Sequence, residues 1–198
     1  TVQQDFSERQ TDRSYRGVVN YSKEHGRLLV DLTAGGQHDV NRYYHMEPSY
    51  NGDNSSSSAM IRTKVAVRVT QNTSLEFRAG DSYERAVTLS YDGAVNRNLL
   101  SFSVAGRSNP LPRLSLLLQV RQNVVTAIKI SPEFTAGASW LMTPNGEHLL
   151  KASLSRNSRL PCLNDLYWIP GGNPDLVPEN SAGGEVSWSF LRVLRSGT

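Results

Sequence analysis

At 198 residues, the chain has the length of one domain. Its mean hydropathy of −0.43 and 20% charged residues leave no run near the roughly 18 apolar residues of a membrane-spanning helix. The net charge of +3 is small, and its Lys and Arg are scattered, which argues against a nucleic-acid surface; the single Cys162 excludes an internal disulfide.

No segment carries a helical period. Alternation of apolar and polar residues instead predicts strands near 12–21, 27–38, 59–71, 74–87, 98–107, 113–122, 130–142, 148–157 and 184–191. Val65, Val67 and Val69 alternate with Lys64, Ala66 and Arg68; Leu75, Phe77 and Ala79 with Glu76 and Arg78. Leu100, Phe102 and Val104 alternate with Ser101 and Ser103. Leu114, Leu116, Leu118 and Val120 share a face that only Leu117 interrupts. Phe134, Ala136, Ala138 and Trp140 follow, then Leu150, Ala152 and Leu154, and finally Val186, Trp188 and Phe190. The opposing face often carries charge, which suits a wet or filled lumen. Links between these strands are expected to alternate short and long, with the long ones at 38–58, 88–97, 123–129 and 158–183, as an up-and-down barrel of the outer membrane requires. Tyr21 and Trp140 fall at the turn-side ends of their strands, where an interfacial aromatic girdle belongs. Asp81 falls on the apolar face under strict alternation, unless a bulge at Gly80 turns it inward.

Residues that could do chemistry form no catalytic pattern. His25, His38, His45 and His148 lack metal-ligand spacing, no nucleophile elbow surrounds any serine, and Gly35-Gly36 and Gly171-Gly172 lack the strand-to-helix setting of a phosphate loop. No enzyme, resident cofactor or metal site is expected. Asn51-Gly52-Asp53-Asn54 lacks the EF-hand spacing for calcium, and Asn72-Thr73-Ser74 reads as a turn. The best ligand-contacting candidate is the 38–58 segment. There Tyr43, Tyr44, His45 and Tyr50 offer flat surfaces with polar tips, and Arg42, Glu47 and Asp53 offer orienting charge. A Ser-rich surface loop with no ligand is the competing reading.

The segment Arg159 to Ser181 is the most distinctive. Pro161, Pro170 and Pro178 cannot donate to a ladder, so the segment is a loop of preferred shape. Asn173-Pro174-Asp175-Leu176 predicts a type I turn braced by Asn173. Arg159, Pro161, Leu163, Leu166 and Tyr167, followed by Gly172, Asn173, Pro174, Leu176, Pro178, Glu179 and Ser181, resemble the late-barrel signature of TonB-dependent outer-membrane receptors. Cys162 stands where that signature usually has a small hydroxyl residue, and Val177 where it often has Lys.

The resemblance implies an all-β, antiparallel, up-and-down transmembrane barrel. The chain would supply about nine of about 22 strands around a lumen that holds a plug. It implies a place in the Gram-negative outer membrane, in contact with its lipid, and active uptake of a scarce small molecule, cobalamin or an iron chelate such as a ferric siderophore. Energy would come from the TonB coupling protein acting through the plug. No leader-like N-terminus, plug or closing aromatic residue is visible, so the chain is expected to be an internal piece of a longer receptor spanning 1–198 of partial barrel. Arg159, Asp165, Tyr167 and Trp168 are candidates for cargo contact, although the signature implies that they chiefly fix the loop's shape. The alternative of a different class is a soluble β-sandwich that binds carbohydrate. A barrel protease or lipase would need a convergent Ser/His/Asp set, which the sequence lacks.

Overall fold

The computed structural model describes residues 8–45, 51–126, 128–145 and 147–191. They form one nine-stranded antiparallel sheet in strict sequence order: β1 (Arg9–His25), β2 (Leu28–Tyr44), β3 (Gly52–Arg68), β4 (Thr73–Val87), β5 (Ala94–Leu111), β6 (Leu114–Val125), β7 (Glu133–Leu141), β8 (His148–Arg159) and β9 (Glu179–Phe190). A one-turn helix, α1 (Leu163–Tyr167), sits in the last connection. Each predicted strand is present, and each pairs only with its sequence neighbours.

Eight of the strands are longer than alternation predicts, chiefly toward the rim where the β2–β3, β4–β5, β6–β7 and β8–β9 connections lie, while β7, expected over 130–142, is shorter. β2 runs to Tyr44 and β3 starts at Gly52, so most of the expected 38–58 loop is paired strand. Ser55, Ser56, Ser57 and Ser58 face Val40, Asp39, His38 and Gln37 in unbroken register. Here both faces are polar, so the period-of-two signal vanishes while the backbone ladder continues. The expected contrast between short and long links shrinks for the same reason. Only 160–178 is a long connection, while Gly26 (φ 60°) closes the two-residue turn at 26–27. Pro110 falls where the β5–β6 register shifts between Ser108 and Leu111, a bulge that spares the missing N–H.

The register sorts side chains onto two faces. Row by row, Val30, Val65, Phe77, Val104, Val120 and Phe134 line up across six strands. The next row toward the turns brings Leu28, Val67, Leu75, Leu118, Ala136 and Leu154 together. These apolar residues are not a core. Val104 is 46% exposed, Leu118 57% and Trp188 62%, and among the described residues no second layer covers them. A sandwich would bury this face between sheets, so that alternative fails. The other face is polar, with a hollow of about 590 Å³ along it from Asp31 on β2 to Glu133 on β7, and the last connection bonds across this side to Arg97 on β5, which makes the polar side the concave one. An apolar convex face needs hydrocarbon outside it, as in a membrane barrel. Substituting Val104→Arg in the assembled barrel should therefore cost about 2–4 kcal/mol, while Ser103→Arg on the concave face should cost little. Thermal unfolding in lipid would show this, and equal losses would contradict the two-faced assignment.

Trp140 holds its expected place near the turn rim. Trp188 and Phe190 join it there, with the His148 ring stacked 5.7 Å from Trp188 and 4.7 Å from Phe190. Tyr21 does not, because β1 continues to His25 and leaves it inside the span. Gly80 pairs Arg62 and Ser101 with no bulge, so Asp81 stays on the apolar face between Ile61 and Leu100. Its Oδ1 is covered and unpartnered among the described residues. Asp81 lies about 20 Å above the turn rim, a height at which a carboxylate is less costly than at mid-membrane.

Candidate functional site

Two groups of side chains at the loop rim carry the functional argument. The first sits at the β2–β3 connection. Tyr43 is half-buried on the concave face, while Arg42 and Tyr44 alternate to the convex face and are exposed. Arg42 Nε meets Asp53 Oδ1 at 3.3 Å, an exposed pair worth little stability. The connection is drawn together by His45, whose backbone N–H donates to Asn51 Oδ1 at 2.7 Å and whose Nε2 lies 3.7 Å from Glu8. Desolvation, reinforced by Glu8, holds the Tyr43 phenol above its usual range. Tyr50 and Glu47, also candidates, lie outside the described residues.

The second group is the 160–178 connection. Arg159 and Glu179, the ends of β8 and β9, face each other across the ladder with their charges 3.8 Å apart, so the signature spans one complete strand-to-strand excursion. Its shape is over-determined. The Cys162 N–H donates to the Asp165 carboxylate at 2.8 Å, which starts α1. The Cys162 thiol and N–H hold the Asp165 carboxyl below its usual range. This contribution is present above the ordinary carboxylate pKa of about 3.9 and is lost as pH falls through the lowered value. The Asn173 N–H donates to the Asp165 carbonyl at 2.8 Å, the Leu176 N–H to the Asn173 carbonyl at 3.3 Å, and the Asp175 N–H to Asn173 Oδ1 at 3.0 Å. That is the predicted braced turn. Gly172 is where it folds tightest: a Cβ there would stand 2.5 Å from the Trp168 nitrogen and 2.8 Å from its carbonyl oxygen.

The loop does not stay over its own strands. Arg97, on the concave face of β5, donates to the Pro161 carbonyl at 2.7 Å and to Glu84 at 2.8 Å. The Ile169 N–H donates to the Ser90 carbonyl at 2.7 Å, Tyr91 Oη donates to Asn164 Oδ1, and the Tyr91 and Tyr167 rings meet edge-on at 6.4 Å. Among the described residues the buried hydrophobics are Tyr91, Val125, Ile130 and Leu166, all at this rim. The signature loop is therefore a strap over the concave side, from β8–β9 to the β4–β5 connection. That connection is next to the one between β2 and β3, so the two candidate groups end as neighbours along the rim. Sequence reasoning missed Arg97, Ser90 and Tyr91, which lie far from the signature and carry no local pattern.

Within the strap the candidates divide by role. Pro161, Leu166, Gly172, Asn173 and Pro178 are engaged or buried. Trp168 is 48% exposed and Tyr167 37%, so both keep a face free for a ligand. Leu163, Pro174 and Leu176 complete the turn geometry. Among the described residues no three His, Cys, Asp or Glu side chains gather as a metal site.

The family model for the TonB dependent receptor-like β-barrel matches residues 1–197. No curated protein matches the sequence. Among solved structures, the siderophore receptor PirA from Pseudomonas aeruginosa superposes with a TM-score of 0.69 at 15% identity, over 93% of this chain and 43% of that one. The chain thus spans less than half the length of that receptor, and the identity is low enough that the likeness speaks for the fold. Members of the matched family are transporters rather than enzymes, and their barrels lie in the Gram-negative outer membrane. With its two-faced sheet and strapped rim, this chain belongs to the TonB-dependent receptor β-barrel family.

Proposed function

We propose that the chain is part of the barrel wall of a longer receptor that takes up a scarce nutrient across the outer membrane. Transport would be powered through a plug by the TonB coupling protein. The observation that carries this reading is the exposed apolar convex face joined to a polar concave face, with a strapped rim above. The cargo is a ferric siderophore or cobalamin, bound at the loop rim by Arg42, Tyr43, Tyr44, His45 and Tyr50 with Asp165, Tyr167 and Trp168. Flat aromatic surfaces beside charged and amide groups suit a rigid, polar-edged chelate. The solved receptor of the same fold is named for a siderophore, which supports the iron-chelate branch.

The full-length receptor should bind labelled ferric siderophore or cobalamin, and cells should accumulate it only while energised. Binding of neither compound ends the reading. Tyr43→Ala combined with Trp168→Ala should weaken binding about ten-fold or more, the size of a lost aromatic anchor. The 198-residue piece alone leaves unpaired edges on β1 and β9 and should not insert into liposomes.

A further inference from the structure

On the convex face, Tyr15, His38 and Tyr83 each lie about 10 residues above the nearest turn, or about 25 Å on a strand tilted about 40°. That height closes an apolar band of the thickness a barrel needs, so these rings form the upper girdle. Asp81 lies one tier lower, inside the band. Tyr83 faces Asn98 directly across the ladder, and Asp81 is the diagonal neighbour of Asn98. An acceptor and two donors thus share one spot on a largely apolar wall. None of the three side chains has a hydrogen-bond partner among the described residues, and hydrocarbon offers none. Of the two Asp81 oxygens only Oδ1 is covered, which leaves Oδ2 to a partner. On either side of this spot the relief is opposite. Toward β2, Ala59 and Gly36 pair in register and leave a hollow that continues to Gly17, where an added Cβ would meet nothing within 4 Å. Toward β6, Leu100 and Phe102 stand out from β5, both exposed.

We propose that this patch of the outer wall joins two copies of the receptor, each Asp81 accepting hydrogen bonds from the other copy's Asn98 amide and Tyr83 hydroxyl. A two-fold axis along the membrane normal at β4 lays the β3 side of one copy against the β5 side of the other. Hollow then meets ridge, and each acceptor meets the other copy's donors. The patch is therefore self-complementary in shape and in hydrogen bonding, which is what a contact between identical surfaces requires. A different membrane protein would have to bring both the matching relief and the matching polar groups. The inference rests on the outer-membrane placement.

The test uses the full-length receptor in native outer membranes, with the exposed Cys162 replaced by the hydroxyl residue usual in the signature, Cys162→Ser. In that background Ala59→Cys with Leu100→Cys should give, on oxidation, a band of twice the receptor's mass. Two strand spacings, or about 10 Å, part these positions within one chain, too far for an internal disulfide. Ala138→Cys with Val186→Cys, equally spaced but away from the patch, should stay monomeric. Asp81→Leu should weaken dimerisation in bilayers about a hundred-fold, since lost bonds count twice across a two-fold contact, and should leave the monomer as stable as before or more so. Ala59→Trp, which fills the hollow yet suits a lipid-facing wall, should also give a monomer. The absence of a dimer band, an equal band from the control pair, a band at the mass of a second protein, or a leucine variant that dimerises like wild type each overturns the proposal. Should the cysteine variants fail to assemble, subunit counting of wild type in bilayers decides: a monomer at every density overturns it. Cargo binding is followed in parallel. A receptor that binds cargo as a monomer sinks only this contact, whereas one that does not assemble in the outer membrane sinks the reading beneath it.

Discussion

Glu133→Ala should be among the most damaging single substitutions in the wall, lowering stability by about 2–3 kcal/mol. Glu133 is 4% exposed at the start of β7. Arg121 donates to its Oε2 through Nε at 2.8 Å and also through Nη2, and Asn123 donates to Oε1 at 3.0 Å. Removing the carboxylate strands a guanidinium and an amide on the concave wall. Breaking a fully buried pair from one side typically costs about 3–5 kcal/mol, and the loss here falls below that range because Arg121 is 45% exposed and recovers some hydration. Glu133→Gln keeps the amide contact and one acceptor, so its loss should be smaller. Thermal unfolding of the full-length receptor in detergent would measure both. An alanine variant as stable as wild type would show that water already screens the group.

Gly172→Ala should release the strap. The added methyl would sit 2.5–2.8 Å from backbone atoms of Trp168 and Tyr167, and backbone cannot swing aside as a long side chain can. Overpacking of this kind costs about 1–3 kcal/mol and sometimes more. Here the loss falls on the strap and its anchors rather than on the whole barrel. The Ile169–Ser90 and Arg97–Pro161 bonds should open together, and added protease should cut between 160 and 178 in the variant but not in wild type. The barrel should still assemble and shift mobility on heating. Arg97→Ala should reproduce the phenotype from the other side of the strap, and a protease-resistant G172A would refute the account.

Why some features were legible and others hidden follows from where water lies. Between the turns and the upper girdle one face meets hydrocarbon and the other water, so Phe77, Val104 and Val120 alternate with Arg78, Ser103 and Arg121 and the strands announce themselves. Above the girdle water wets both faces. Ser55 to Ser58 then look like a loop while they are paired strand. The signature loop was readable for a different reason: Pro161, Gly172, Asn173 and Pro174 have backbone requirements that only a few residue types satisfy. What that loop grips was not readable. Arg97 and Tyr91 act through contacts some 64 and 73 positions away, and such pairing leaves no trace in local spacing. The same blindness affects Asp81, whose facing depended on whether Gly80 bulges.

The steric trap at Gly172 has a consequence for how such chains diverge. A wall residue like Val104 or Leu118 need only be soluble in oil, so any of several aliphatic or aromatic replacements serves, and drift there is nearly free. The strap tolerates no such freedom, since a single methyl at its tightest point collides with main chain. Lineages of this architecture should therefore lose resemblance first along their staves and last at this one buckle.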